Sequence, residues 1–285
     1  MIICINGKFF HHKKAFISAM DNGFLYGDGV YETMGGYDGV ILDLDSHIKR
    51  LQKAAENLGI KIIWPIPKLK KLIKKTVDLN KAKFLRIRLT LSRGPNGVDF
   101  ITCKNPTLVI SCEKLKPEHE IYKKGVSVIT IETKRTLPEA KTIGLMHMIM
   151  AYRAIKPKNI FEAIIIDKKD FIKEGMSTNI FMIKSGKIIT PKTQILIGIT
   201  RGRVIELAKK IGLKVVIKDF KIGELDHAEE IFITNQLKKV VPVVILNGKK
   251  VGTGKNKGKV GETTKKIMKV YEGFIIDYIK KLKYL

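Results

Sequence analysis

The stretch Leu85-Arg86-Ile87-Arg88-Leu89-Thr90-Leu91-Ser92 decides how this chain is built. Its apolar residues fall on every second position, the period of a strand with one face in a core and the other outside it. Downstream it runs into Arg93-Gly94-Pro95-Asn96-Gly97, a loop by composition, and Thr107 to Cys112 reads as its partner strand. Upstream lie two amphipathic helices. One places Ile48, Leu51, Ala55 and Leu58 on a single face, with Asp43 and Asp45 as N-cap candidates and Gly59 as its stop. The other, from Pro67 to Leu79, turns Leu69, Leu72, Ile73 and Val77 inward. Nearer the N-terminus, Asn6-Gly7 is a hairpin signal. The glycine-rich Tyr26-Gly27-Asp28-Gly29 leads into a strand from Val30 to Tyr37, and Asp38-Gly39 turns that strand into Val40-Ile41-Leu42.

Beyond the paired strands, Lys114 to Lys124 carries Pro117 and many charges and is the most linker-like segment, so domains of 1–118 and 119–285 are expected. The second half reads as a strand (126–132), a helix (145–155), a strand (162–166) and a hairpin (179–183 and 188–190) turning at Ser185-Gly186. A helix from about Thr200 to Ile211, strands at 215–220, 230–234 and 240–246, and a final helix from about Glu262 follow. Strands and helices mix without strict alternation, which predicts an α+β (mixed α/β) fold rather than a doubly wound one.

The 285 residues hold 54 Lys and Arg against 27 Asp and Glu, a net charge of +27. At 45% hydrophobic residues the bulk of the chain has enough apolar surface to fold, which excludes a disordered basic protein. The lysines are spread over every segment instead of one element interleaved with aromatics. That pattern leaves a basic nucleic-acid-binding protein as the non-enzyme alternative and weighs against specific nucleic-acid recognition. Cys4, Cys103 and Cys112 are odd in number and far apart, as expected of reduced thiols. With no apolar run near the ~18 residues of a membrane helix, no membrane partner and a cytoplasmic location are expected. The six histidines have no metal-ligand spacing, so no metal is expected, and no hydrolase, P-loop or dinucleotide fingerprint occurs.

Gly198-Ile199-Thr200-Arg201 precedes an amphipathic helix whose inward residues are Val204, Leu207, Ala208 and Ile211. Thr200 is placed to be the N-cap, and the glycine lets backbone N–H groups approach an anion at the positive end of the helix. The same residues make an ordinary helix cap.

Taken together, six segments carry a resemblance. They are Gly23-Phe24-Leu25-Tyr26-Gly27-Asp28-Gly29-Val30-Tyr31-Glu32, His47-Ile48-Lys49-Arg50-Leu51, Pro138-Glu139-Ala140-Lys141-Thr142, Glu174-Gly175-Met176-Ser177-Thr178-Asn179-Ile180-Phe181, Gly198-Ile199-Thr200-Arg201, and Phe232-Ile233-Thr234-Asn235 through Pro242-Val243. In this order they resemble the class IV aminotransferases, the fold-type IV pyridoxal-phosphate enzymes: branched-chain aminotransferases, D-amino-acid aminotransferases and aminodeoxychorismate lyases. The resemblance spans nearly the whole chain. It implies two domains, a small N-terminal α/β domain and a larger C-terminal barrel-like domain with a mixed sheet, and it implies a homodimer or higher homo-oligomer.

The resemblance also implies roles. Lys141, one basic residue among 54, would hold pyridoxal 5'-phosphate as a Schiff base and, once freed, move a proton at the substrate Cα. Glu174, otherwise a turn carboxylate, would pair with the pyridine nitrogen. Arg50 would grip the phosphate with its guanidinium fork. Ile199 and Thr200 would cap the same phosphate, and Thr234-Asn235-Gln236 would add donors. Ser177 and Asn179 complete the cofactor set. Tyr31, which reads equally as a packed strand residue, and Thr33 would line the substrate side. Arg93, at the end of its strand, is the best available counter-charge for a substrate carboxylate.

Within the family the chain departs from each pattern. Val98 and Phe100 stand where D-amino-acid aminotransferases have an Arg and a His. Gly144-Leu145 follows Lys141 in place of an Asn-Tyr usual in branched-chain enzymes, and Thr33 replaces their glycine. Thr33 and Asn235-Gln236-Leu237 resemble the lyases, whereas Asn247-Gly248 and Gly258-Lys259-Val260-Gly261-Glu262 resemble the aminotransferases. The expected reaction is amino-group transfer between a branched-chain-like amino acid and a 2-oxo acid. Aminodeoxychorismate lyase and then D-amino-acid aminotransferase are the alternatives.

Overall fold

The computed structural model describes residues 1–283. In chain order the elements are β1 (Ile2–Ile5), β2 (Lys8–His11), α1 (Asn22–Tyr26), β3 (Gly29–Tyr37), β4 (Val40–Ile41), α2 (Leu44–Asn57), α3 (Ile66–Leu79), β5 (Phe84–Ser92) and β6 (Thr107–Lys114). Then come α4 (His119–Lys124), β7 (Val126–Glu132), α5 (Met146–Ile155), β8 (Glu162–Ile166), β9 (Ile172–Gly175), β10 (Asn179–Lys184), β11 (Lys187–Thr190) and α6 (Ile199–Lys210). The last are β12 (Val215–Ile217), β13 (Glu230–Asn235), β14 (Lys239–Leu246), β15 (Lys249–Lys250) and α7 (Glu262–Lys283). Among the described residues no helix is long and apolar enough to cross a membrane.

Two compact units form. The first comprises Met1–Lys116, Ala140–Leu145 and the chain from Tyr278; the second comprises Pro117–Glu139 and Met146–Asp277. The first unit holds a six-stranded sheet in the order β2-β1-β6-β5-β3-β4. As the period of two requires, β5 buries Leu85, Ile87, Leu89 and Leu91. These join Met34, Ile110 and the inward stripes of α2 (Ile48, Leu51) and α3 (Leu69, Ile73, Val77) in one core. At about 25 cal/mol per Å² of apolar area, this sheet-to-helix packing is the main force holding the unit together. Asn6 and Gly7 both take positive φ, 51° and 87°, the primed geometry that matches the twist of the β1–β2 hairpin.

The second unit holds a nine-stranded mixed sheet curled into a half-barrel, with the path β12-β11-β10-β13-β14-β7-β8-β9 and β15 on β14. Parallel pairs (β11 with β12, β14 with β7, β7 with β8) mix with antiparallel ones. At its centre Phe181 and Phe232, directly opposite in register, stack with ring centroids 4.7 Å apart.

Several elements differ from the sequence reading: α4 lies within the segment read as linker, β12 stops at Ile217, and two further differences are instructive. The segment 22–26 is helical, because the Asp21 carboxylate accepts the Gly23 N–H at 2.8 Å and caps a turn too short to show periodicity. Residues 172–175 form β9, a four-residue strand buried throughout and thus without any alternation to read.

Candidate active site

In the first unit, β3 sorts its side chains by the strand period. Val30, Glu32 and Met34 face the helices, and Tyr31 and Thr33 face the other way. On that second face the register sets Thr33 opposite Arg88 and Tyr31 opposite Thr90. The Arg88 guanidinium lies 3.9 Å from the Tyr31 ring centroid, and Lys141 Nζ lies 4.5 Å from the same ring. Burial lowers the Arg88 pKa, partly offset by Tyr31.

Lys141 is brought there by backbone pairing. Tyr31 N donates to Lys141 O at 2.8 Å, Ile143 N donates to Gly29 O at 3.0 Å, and Val30 bridges Thr142. Gly29 permits this approach: a Cβ there would meet Leu91 O at 2.7 Å and Ile143 Cδ1 at 2.8 Å. The glycines before β3 therefore serve close packing of the lysine segment.

On the helix face of β3, Glu32 is fully buried, and Arg50 binds it with both arms of its fork, Nε at 2.7 Å and Nη2 at 2.8 Å. His47 Nδ1 lies 2.7 Å from the same carboxylate. Burial pushes the Glu32 pKa up, but the Arg50 hydrogen bonds and charge, with His47, overcome it and hold the group at about 2. Arg50 keeps 17% of its side chain exposed.

Arg93, expected as a substrate counter-charge, is deeply buried and heavily hydrogen-bonded. It is 4% exposed, and Nε donates to Asp28 Oδ2 at 2.5 Å. Nη2 donates to Asp28 Oδ1 and to Leu58 O, and Nη1 to the carbonyls of Gly59, Ile101 and Thr102. Its donors tie the end of β5 to neighbouring loops. Arg88, on the same strand, carries no sign in the sequence of its place beside Tyr31, because a strand's polar face reads as a solvent face; its register opposite Thr33 puts it there.

In the second unit, Glu174 at the end of β9 is 3% exposed and receives Arg135 Nη1 on Oε1 at 2.6 Å. Leu196 N and Asn179 Nδ2 donate to Oε2 at 3.1 and 3.3 Å, and Asn179 Nδ2 also reaches Leu196 O at 2.8 Å. Ser177 Oγ donates to the buried Glu162 at 2.7 Å, and Asn235 Nδ2 reaches Ser177 O at 3.4 Å. The Thr200 hydroxyl donates to Gln236 Oε1 at 3.0 Å. Thr200 is therefore not the N-cap of α6; Gly198 is, with extended φ and ψ, and Thr200 lies inside the first turn. No side chain caps that turn, and at Gly198 a Cβ would collide with Asn179 Oδ1. Thr234 Oγ1, opposite Asn179 in register, is buried without a partner among the described residues.

These donors fit pyridoxal 5'-phosphate chemically. The first unit offers a primary amine beside an aromatic ring and a guanidinium held by a buried carboxylate. The second offers a carboxylate, an uncapped helix start suited to a phosphate, and an unspent hydroxyl.

The model of the family "Amino-transferase class IV" matches residues 29–246. A protein of Methanocaldococcus jannaschii with the provisional name branched-chain-amino-acid aminotransferase is 34% identical over 281 residues, covering 95% of this chain and 96% of that protein. The D-alanine aminotransferase of Bacillus licheniformis is 31% identical over 287 residues, covering 99% of both. Among solved structures, a branched-chain aminotransferase of Thermoproteus uzoniensis with norvaline superposes with a TM-score of 0.88 at 24% identity, covering 99% of this chain and 96% of that one, and shows the same fold. The motifs, the residue chemistry and these matches agree: the chain belongs to the class IV aminotransferases and is a pyridoxal-phosphate-dependent enzyme.

Proposed function

We propose that this enzyme transfers an amino group between a branched-chain-like amino acid and a 2-oxo acid. The observation that carries the reading is the Tyr31 ring flanked by Lys141 Nζ at 4.5 Å and the Arg88 guanidinium at 3.9 Å, an amine and a fixed cation on one aromatic platform. The branched-chain preference is supported by the name of the Methanocaldococcus relative. When bound, pyridoxal phosphate supplies an electron sink for the bond to the substrate Cα.

The chain's own residues do the rest. Lys141 anchors the cofactor through its amine and carries the proton to and from Cα. Glu174, with Asn179, holds the ring nitrogen. Arg50, the first turn of α6 at Ile199 and Thr200, and the neighbouring Ser177, Asn235 and Gln236 hold the phosphate side. Tyr31, Thr33 and Arg88 orient the substrate, Arg88 as the counter-charge to its carboxylate. The test is 2-oxo-acid formation from L-leucine, L-valine, D-alanine and aminodeoxychorismate, with Lys141→Ala as control. The reading expects turnover of the branched L-amino acids and a loss of about 100-fold to 10,000-fold in the variant. Pyruvate release from aminodeoxychorismate alone would establish the lyase instead.

A homodimer belongs to the same reading. Phe16, Phe24, Val98 and Ile101 are 70% or more exposed, and Tyr26 packs edge-on against Phe100 at 5.1 Å to join their segments. Exposed apolar side chains of this kind are suited to cover one another between two copies of the chain. Sedimentation should give twice the 32.2 kDa chain mass, and a monomer at micromolar concentration would overturn this part.

A further inference from the structure

The ion pair between Arg135 and Glu174 has no part in the roles assigned so far. Its N–O distance is 2.6 Å, and the two side chains are 10% and 4% exposed. Arg135 lies in the stretch between β7 and the lysine segment, while Glu174 ends β9, so the contact joins two separate strand ends of one unit. Resting on the assignment of Glu174 to the ring nitrogen, we propose that Arg135 is a positioning residue that keeps the Glu174 carboxylate ionised and oriented, and so keeps the cofactor's ring nitrogen protonated.

The electrostatics follow from distance. A proton shared between a pyridine nitrogen and a carboxylate can sit on either. A guanidinium bonded directly to the carboxylate stabilises the ionised form more than it repels a cation that shares the carboxylate from farther off, because the Coulomb energy falls with separation. The proton therefore stays on nitrogen, the state in which the ring draws electrons best. The geometry of Glu174 agrees. Arg135 occupies Oε1, while Leu196 N–H and the Asn179 amide hold Oε2, so the carboxylate plane is fixed from both oxygens.

The neighbouring groups reinforce this. Arg201 is buried and committed to Thr190 Oγ1 and Pro191 O; its pKa is lowered by burial, and Glu174 pulls it back up. His147, whose pKa is lowered by burial and by the Arg135 charge, adds no competing cation near neutral pH.

The experiment uses the full chain loaded with pyridoxal phosphate carrying 15N in the ring, with the nitrogen's chemical shift and the cofactor dissociation constant as readouts. Wild type should show a protonated nitrogen. Arg135→Gln should move the signal toward neutral pyridine and weaken retention about 10-fold to 100-fold, the loss of one charge-assisted hydrogen bond. Arg135→Lys, which keeps the charge, should keep the nitrogen protonated; a neutral signal there overturns the proposal even if the glutamine variant does not fold. Glu174→Gln separates the two layers. If it shifts the nitrogen while Arg135→Gln does not, Arg135 has no such role. If Glu174→Gln leaves the nitrogen untouched, the Glu174 assignment falls, and the proposal with it.

Discussion

Glu32 on β3 of the first unit and Glu162 on β8 of the second are 0% and 1% exposed, and both carboxylates receive several short hydrogen bonds. Their acidities move in opposite directions. Burial raises both, but Glu32 has the Arg50 fork and His47 beside it and is held at about 2, whereas the donors to Glu162 are neutral and its pKa stays raised. The Glu162 partners are Ala163 N, Ser177 N, Ser177 Oγ and Thr178 Oγ1. Hydrogen-bond number does not decide which way the pKa of a buried acid moves here; a cationic partner does. One glutamate is a charged clamp for the guanidinium proposed to meet the phosphate, and the other a hydrogen-bonding post for Ser177.

The largest effect expected from breaking this contrast is at Glu32. Glu32→Gln leaves the Arg50 fork facing an amide and should cost about 3 kcal/mol, the low end for a broken buried pair because Arg50 is 17% exposed. The pH dependence sharpens the point. The folded pKa lies below the ordinary 4.5, so the native state's advantage is full above that value and is lost as the pH falls from 4.5 to about 2. Urea denaturation at stepped pH should show wild type losing about 3 kcal/mol over that window, with the glutamine variant losing correspondingly less. Equal acid slopes would refute the clamp.

At Glu162 the expected effect is small and of opposite sign. A raised pKa means the native state binds more protons than the unfolded chain, so its contribution falls as the pH rises above 4.5. Glu162→Gln, close in shape to a protonated carboxyl, should change stability by less than about 1 kcal/mol and flatten that decline. A loss as large as that of Glu32→Gln would show that Glu162 is ionised in the native state.

Much of the fold was legible because long elements announce themselves by period. The alternation from Leu85 to Leu91 and the inward stripes of α2 and α3 lie where the pattern put them. What escaped was short or uniformly buried: β9 has four residues and no polar face to alternate with, yet it carries Glu174. The motif order selected Lys141 from 54 like-charged residues, which no composition argument could do. Residue type alone did not place the Arg93 and Thr200 side chains. Residue type shows what a side chain can bind, and in the fold the Arg93 donors are spent on Asp28 and four carbonyls while the Thr200 hydroxyl is spent on Gln236.

By itself, then, the sequence determined the mixed α/β class and the family, since these rest on periodicity and on ordered motifs written along one dimension. Only the tertiary structure decided that Arg88 shares the Tyr31 ring with Lys141, that Arg135 holds Glu174, and that the acidities of Glu32 and Glu162 move in opposite directions. The reason is physical: a side chain's charge and availability depend on the partners within a few ångströms, and those partners come from positions far away along the chain.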